Sequence, residues 1–221
     1  MLTTTGRESG TDAERDFRAR AARGLHRALP PGEPAAGDFD LNPGFASELS
    51  ALSPALRTPT PAAVLVPVVR RDPLSVLLTL RTADLKSHAG QISFPGGKID
   101  PGDADAVAAA LREAREEIAL DARCIEPLGF LDAYRTGTGY TVFPVVALIS
   151  ADYRAVPNPA EVSDVFEVPL SFLMDNRNHQ RHARLLHGRE RHFYAMPYGD
   201  RYIWGATAGM IRNMQQRLYQ V

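Results

Sequence analysis

Hydrophobic positions along the chain follow two different periods. The aliphatic runs AAVLVPVV (62–69) and SVLLTLR (75–81) flank Arg71-Asp72-Pro73, which reads as two strands joined by a turn. Helical spacing takes over at 104–119. Strand-like runs return at 124–134 and 140–149. VFEVP (165–169) is a further short strand, followed by the helix-like SFLMD. Residues 181–187 and 191–196 read as a hairpin around Gly188. In the closing GATAGMIRNMQQRLYQ, Ala208, Ile211, Met214 (or Gln215) and Leu218 fall on one helical stripe. Strands and helices interleave without strict alternation. That predicts an α/β (α+β) fold in which helices sandwich a mixed sheet, rather than a doubly wound parallel one.

The first third of the chain is different. Residues 1–12 read as a loose tail. Phe17, Ala21, Leu25 and Ala28 then take helical spacing, with Arg15, Arg18, Arg20, Arg23 and Arg27 among them and Pro30-Pro31 as the stop. The plain reading is a helix packed on the main body with its basic face in solvent. The sharper alternatives are an arm of a homodimer or a lid over an anionic substrate. Residues 30–61, rich in Pro, Gly and Ser, read as a connector with one helical turn at 45–52.

Composition narrows the function class. The 221 residues are 44% hydrophobic and 23% charged, which excludes disorder over the whole length. Lys and Arg number 25 against 26 Asp and Glu, a net charge of −1. No global basic field exists to draw in nucleic acid or an anionic membrane. The longest apolar runs, 62–69 and 142–149, each contain a proline and fall far short of the roughly 20 residues of a spanning helix. The polar, acidic start lacks the pattern of a secretory signal, and the lone Cys124 precludes an internal disulfide. Together these point to the cytoplasm, with no membrane and no nucleic-acid partner.

The chemistry concentrates in SFPGGKIDPGDADAVAAALREAREEIAL (93–120). Val107, Ala110, Leu111, Ala114 and Ile118 form a core-facing stripe. Glu113, Glu116 and Glu117 lie three and four apart, where like charges repel by a few tenths of a kcal/mol per pair, on the order given for such spacings. A solvated acidic face neutralised by Arg112 and Arg115 is the ordinary explanation of such a run. The preceding Pro95-Gly96-Gly97 bend changes the weight. It permits a tight loop whose carbonyls can turn toward a cation. Hard oxygen ligands in that number suit Mg²⁺ or Mn²⁺.

Here the sequence resembles the Nudix hydrolase family. That signature runs Gly, five residues, Glu, seven residues, then Arg-Glu-apolar-x-Glu-Glu-x-Gly-apolar. Gly97, Arg112, Glu113, Ala114, Glu116, Glu117 and Leu120 match it. Asp103 stands at the first Glu, eight residues separate it from Arg112, and Ala119 replaces the later Gly. Upstream, LLTLRTADLKSHAGQISFPGG (77–97) is similar to the motif of coenzyme A pyrophosphatases in that family. Leu77, Leu78, Thr79, Arg81, Gly90, Phe94, Pro95, Gly96 and Gly97 are in register, with Thr82 for Ser and Lys86 for Arg. The likeness extends loosely over about 62–211.

The resemblance implies an α/β/α sandwich with a mixed sheet over 61–221, and 1–60 outside it. It implies hydrolysis of a nucleoside-linked diphosphate, and for the subfamily coenzyme A, cleaved to 3′,5′-ADP and 4′-phosphopantetheine. Glu113, Glu116, Glu117 and the Gly97 carbonyl would ligate Mg²⁺ or Mn²⁺, with Arg112 orienting the carboxylates. Glu116 and Glu161 are both candidates for the base that takes the water proton. Arg81, Lys86, His88 and Phe94 would meet the substrate. Taken singly, His88 reads as an ordinary loop residue, Tyr140 and Phe143 as sheet aromatics or adenine stackers, and Trp204 as packing. ADP-ribose, NADH or a dinucleoside polyphosphate is the nearest alternative substrate. A non-catalytic nucleotide sensor is the alternative of another class.

Overall fold

The computed structural model describes residues 11–30, 36–38, 40–42, 45, 58–84, 88–186 and 188–220. Most of the expected turn at 45–52, and Lys86, lie outside them. Thr11 caps helix α1 (Asp12–Gly24) by accepting the Glu14 N–H at 3.2 Å. Its apolar stripe enters the core, with Phe17 and Ala21 almost fully buried. The helix stops at Gly24 rather than at Pro30-Pro31. Gly24 lies against the backbone of the last helix, where an added Cβ would stand 2.5 Å from the Arg217 carbonyl. His26 then exchanges backbone hydrogen bonds of 2.9 and 2.8 Å with Phe130. Leu25 is still buried, but Ala28 is exposed. Arg18, on the basic side, forks onto Glu126 with two bonds of 2.7 Å. Because Phe17 is 1% exposed, Phe17→Ala is expected to cost about 3–5 kcal/mol of stability. Urea unfolding measures it. A loss under about 1 kcal/mol would mean that the helix merely rides on the surface.

Strands β1 (Ala36–Gly37), β2 (Thr60–Val69), β3 (Ser75–Arg81), β4 (Ile92–Ser93) and β5 (Gly96–Lys98) precede helix α2 (Ala106–Ile118). After it come β6 (Ile125–Phe130), β7 (Tyr134–Arg135), β8 (Tyr140–Ile149) and β9 (Val162–Pro169), then the short helix α3 (Leu170–Met174). Strands β10 (Gln180–Leu186), β11 (Arg189–Tyr198) and β12 (Arg201–Trp204) form a separate antiparallel sheet, and α4 (Ala206–Tyr219) closes the chain. Strands β1 to β9 make one mixed sheet. Its centre is the parallel pair β2 and β8, in register from Thr60 opposite Tyr140 to Val69 opposite Ile149.

Both faces of that sheet are covered, which explains the near-continuous apolar runs. Ala63, Leu65 and Val69 with Val145, Ala147 and Ile149 face α2. Val66 and Val68 with Val146 and Leu148 face α1, α3 and α4. The molecule is thus an α/β/α sandwich of mixed α+β class. The expected strand 124–134 is two strands. Cys124 belongs to a 3-10 turn capped by Asp121. The break at 131–133 aims Asp132 at α4, where it accepts from Asn213 Nδ2 and Arg217 Nη1, each at 2.7 Å. Strand β9 begins at Val162, three residues earlier than its apolar pattern, because pairing with β3 continues to Arg81. No described helix is long and apolar enough to cross a membrane.

Candidate functional site

Helix α2 carries the acidic run. The Asp105 carboxylate caps it by accepting the Ala108 N–H at 2.8 Å. It ends on Ala119 in left-handed conformation, φ 52°, the position where glycine would carry no steric penalty. The buried alanines of one face dock on the sheet, so the carboxylates line the edge toward β5. Exposure falls steeply along them, from 54% for the Glu116 side chain through 17% for Glu113 to 2% for Glu117.

The buried Glu117 carboxylate has two donors. The Gly96 N–H reaches Oε2 and Arg81 Nη1 reaches Oε1, both at 3.2 Å. This carboxyl is pushed up to about 7, chiefly by burial and further by Glu113 and Glu161, against the downward pull of Arg81 and the Gly96 N–H. Glu113 is likewise raised by burial first, against the pull of Arg112. Glu113 and Glu117 therefore both lie in the field of Glu161, which stands in the loop before β9.

Arg112 organises the solvent side. It grips Asp103 with two bonds of 3.0 Å, and Nη1 donates to Glu113 at 2.9 Å and to Glu116 at 3.0 Å. A fifth bond goes to the Lys98 carbonyl at 3.0 Å. The Arg112 fork holds Asp103 below the usual carboxylate range. It does not contact Glu117, whose guanidinium partner is Arg81. The partnership of Asp103 with Arg112 was legible only as a motif position.

Beside these acids lies a cavity of about 420 Å³, lined in part by Arg81, His88, Phe94, Gly96, Gly97 and Tyr140. His88 has φ 57° and pairs with Gln91 Oε1 at 2.9 Å. Phe94 is 2% exposed, so it is core as well as wall. Tyr140 faces the cavity, whereas Phe143 packs on the opposite, α2 side of the sheet. Trp204 lines the cavity too, which its sequence context did not reveal.

The donors gathered here are oxygens, the ligand type of a hard divalent cation. Among the described residues no three His, Cys, Asp or Glu already stand as a closed cage. Arg112 occupies the space between Glu113 and Glu116. Two features nevertheless fit such an ion. A buried and a half-buried carboxylate, each raised by burial first and then by neighbouring acids, are the arrangement a dication relieves. At Gly97 an added Cβ would stand 2.5 Å from Glu113 Oε1, so the absent side chain leaves the carboxylate a cradle against β5.

Residues 59–188 match the NUDIX domain family. The Nudix hydrolase NudL of Escherichia coli K12, itself uncharacterised, is 40% identical over 174 residues, covering 77% of this chain and 91% of that one. NudL of Cronobacter sakazakii, also uncharacterised, is 43% identical over 155 residues, covering 69% and 80%. Among solved structures, the NUDIX domain of Shewanella oneidensis NrtR, complexed with ADP ribose, aligns with a TM-score of 0.47 at 22% identity over 79% of this chain and 98% of that one. The matched span contains the acidic helix, the double-glycine bend and the run preceding it, and on that agreement the chain belongs to the Nudix family.

Proposed function

We propose that the protein is a divalent-metal-dependent pyrophosphohydrolase acting on coenzyme A and its derivatives, yielding 3′,5′-ADP and 4′-phosphopantetheine. The hydrolase part follows from family membership. The substrate rests on one observation above all: the run 77–97 folds onto the acidic helix, so that Arg81 from the first motif bonds Glu117 of the second at 3.2 Å. Nudix hydrolases generally use divalent metals such as Mg²⁺ or Mn²⁺. In this reading Glu113, Glu116, Glu117 and the Gly97 carbonyl hold the ion. Once bound, it neutralises diphosphate oxygens and acidifies water.

The remaining roles belong to side chains. Arg112 holds Glu113 and Glu116 in place, and is itself fixed by Asp103. Arg81 supplies a guanidinium for a phosphate oxygen at the cavity wall. Glu161 or Glu116 accepts the proton of the attacking water. His88 and Phe94 bound the space for the substrate, and Lys86 stays a substrate-contact proposal from sequence. The unpaired Cys124 fits the reducing cytoplasm in which this reading sets the protein.

Purified protein with Mg²⁺ or Mn²⁺ is expected to cleave coenzyme A in preference to ADP-ribose, NADH and dinucleoside polyphosphates. Mass spectrometry of the products formed in ¹⁸O-water reads the bond cleaved and the phosphorus attacked. Cleavage of ADP-ribose but not coenzyme A would keep the hydrolase and overturn the substrate.

A further inference from the structure

A second cavity, of about 410 Å³, adjoins the first. Asp38, Thr138, Arg184, Trp204 and Gly205 appear in the walls of both, so the two are halves of one cleft. The second half lies between α4, the small β10–β12 sheet and the segment around Asp38. That segment is tied down. Asn42 bonds the His192 carbonyl at 3.0 Å and accepts the His192 N–H at 2.9 Å.

Charge and rings are arranged unusually here. The Arg184 guanidinium lies 5.0 Å from the Trp204 ring centre, and that of Arg212 lies 4.6 Å from the Tyr194 ring centre. Neither has a carboxylate partner among the described residues, unlike Arg18, Arg71, Arg81, Arg112 and Arg201. The acids in the same wall are already engaged. Asp38 accepts from Tyr134 Oη at 2.7 Å and from the Gly137 N–H at 2.8 Å, and Asp40 accepts the Gly37 N–H at 3.1 Å. A guanidinium over an aromatic face, with no carboxylate partner, has N–H groups to offer an anion.

We propose that Arg184 and Arg212 bind a phosphomonoester carried by the nucleoside half of the substrate, remote from the diphosphate that is cleaved, with Trp204 and Tyr194 walling the base. A 3′-phosphorylated nucleotide has such a group, and ADP-ribose and NADH do not. The inference deepens the reading above and rests on it for the identity of that nucleotide. The dianionic monoester offers three acceptor oxygens, which two forked guanidiniums can share. Selection then comes from a site that leaves two cations unpaired when the monoester is missing.

Calorimetric titration of the full chain in metal-free buffer tests this, with adenosine 3′,5′-bisphosphate as probe and adenosine 5′-monophosphate as reference. The bisphosphate is expected to bind at least ten-fold tighter. Arg184→Ala and Arg212→Ala should each shrink that preference, and the double variant should abolish it without altering affinity for the monophosphate. Arg212→Lys should retain part of it, which separates lost charge from a lost fold. Equal affinities in the wild type, or an undiminished preference in the double variant, would overturn the assignment. A preference without coenzyme A hydrolysis would leave this site standing and remove the substrate reading. Coenzyme A hydrolysis without a preference would do the reverse.

Discussion

Glu117→Gln is expected to lower the turnover of coenzyme A by at least about 10², the lower end of what a positioned catalytic group contributes. The change removes a charge and keeps the shape. Its effect on the fold should be small, because two terms oppose. The amide has a single carbonyl oxygen for two donors, the Gly96 N–H and Arg81 Nη1, and losing one such bond costs about 1–3 kcal/mol. Against that, a carboxylate 2% exposed and pushed up by burial no longer has to be ionised in the interior. A melting temperature within about 4 °C of the wild type is therefore expected. The ion-binding part has its own readout. The electron paramagnetic resonance signal of free Mn²⁺ should be depleted less by the variant than by the wild type. Glu116→Gln provides the internal comparison, since that side chain is 54% exposed and more readily replaced by water as a ligand. Full turnover in Glu117→Gln would remove this residue from the chemistry.

How far the sequence reaches differs between fold and site. The runs at 62–69, 75–81 and 140–149 were legible because strands covered on both faces are apolar at nearly every position, and their short length and β-branched content favour strand over a buried helix. Helix α2 was legible from its stripe and its carboxylate spacing. Strand β1 was not, because two residues, Ala36 and Gly37, carry no period, and their pairing with Tyr134 and Arg135 spans almost a hundred positions. The early end of α1 had only the local signal Arg23-Gly24, weaker than Pro30-Pro31; the close approach of the distant Arg217 backbone to Gly24, which no local pattern reveals, gives that glycine its weight. At the site, the acids and Arg112 could be named from spacing, but their unequal burial could not. That Arg81 serves Glu117 while Arg112 serves Asp103, Glu113 and Glu116 depends on how β3 and β5 lie beside α2. Trp204 and Arg184 had no signal at all. Their place in the cleft follows from how the small sheet folds back over α4 and β4.

Gly96→Ala is expected to be the most destabilising of three neighbouring glycine substitutions. Gly96 pairs with Val64 of β2 at φ +156°, and an added Cβ would stand 2.4 Å from the Ala63 carbonyl oxygen and 2.6 Å from Val64 Cα. Those are backbone atoms of the central strand and cannot rotate aside, so β5 must lift. Overpacking of this kind costs about 1–3 kcal/mol, and the upper end applies because β5 pairing weakens as well. For a chain of 221 residues about 3 kcal/mol corresponds to a fall in melting temperature of roughly 6–12 °C. Gly97→Ala meets something softer. Its Cβ would stand 2.5 Å from Glu113 Oε1, the end of a side chain that can swing away. Stability should then fall by only about 1 kcal/mol, while turnover drops because Glu113 has left its cradle. Gly102→Ala, with nothing within 4 Å, should stay within about 0.5 kcal/mol of the wild type and keep full activity. Calorimetric melting of the three variants gives the order directly. A wild-type melting temperature for Gly96→Ala would mean that β5 is not pinned on β2, and the support beneath Glu117 would go with it.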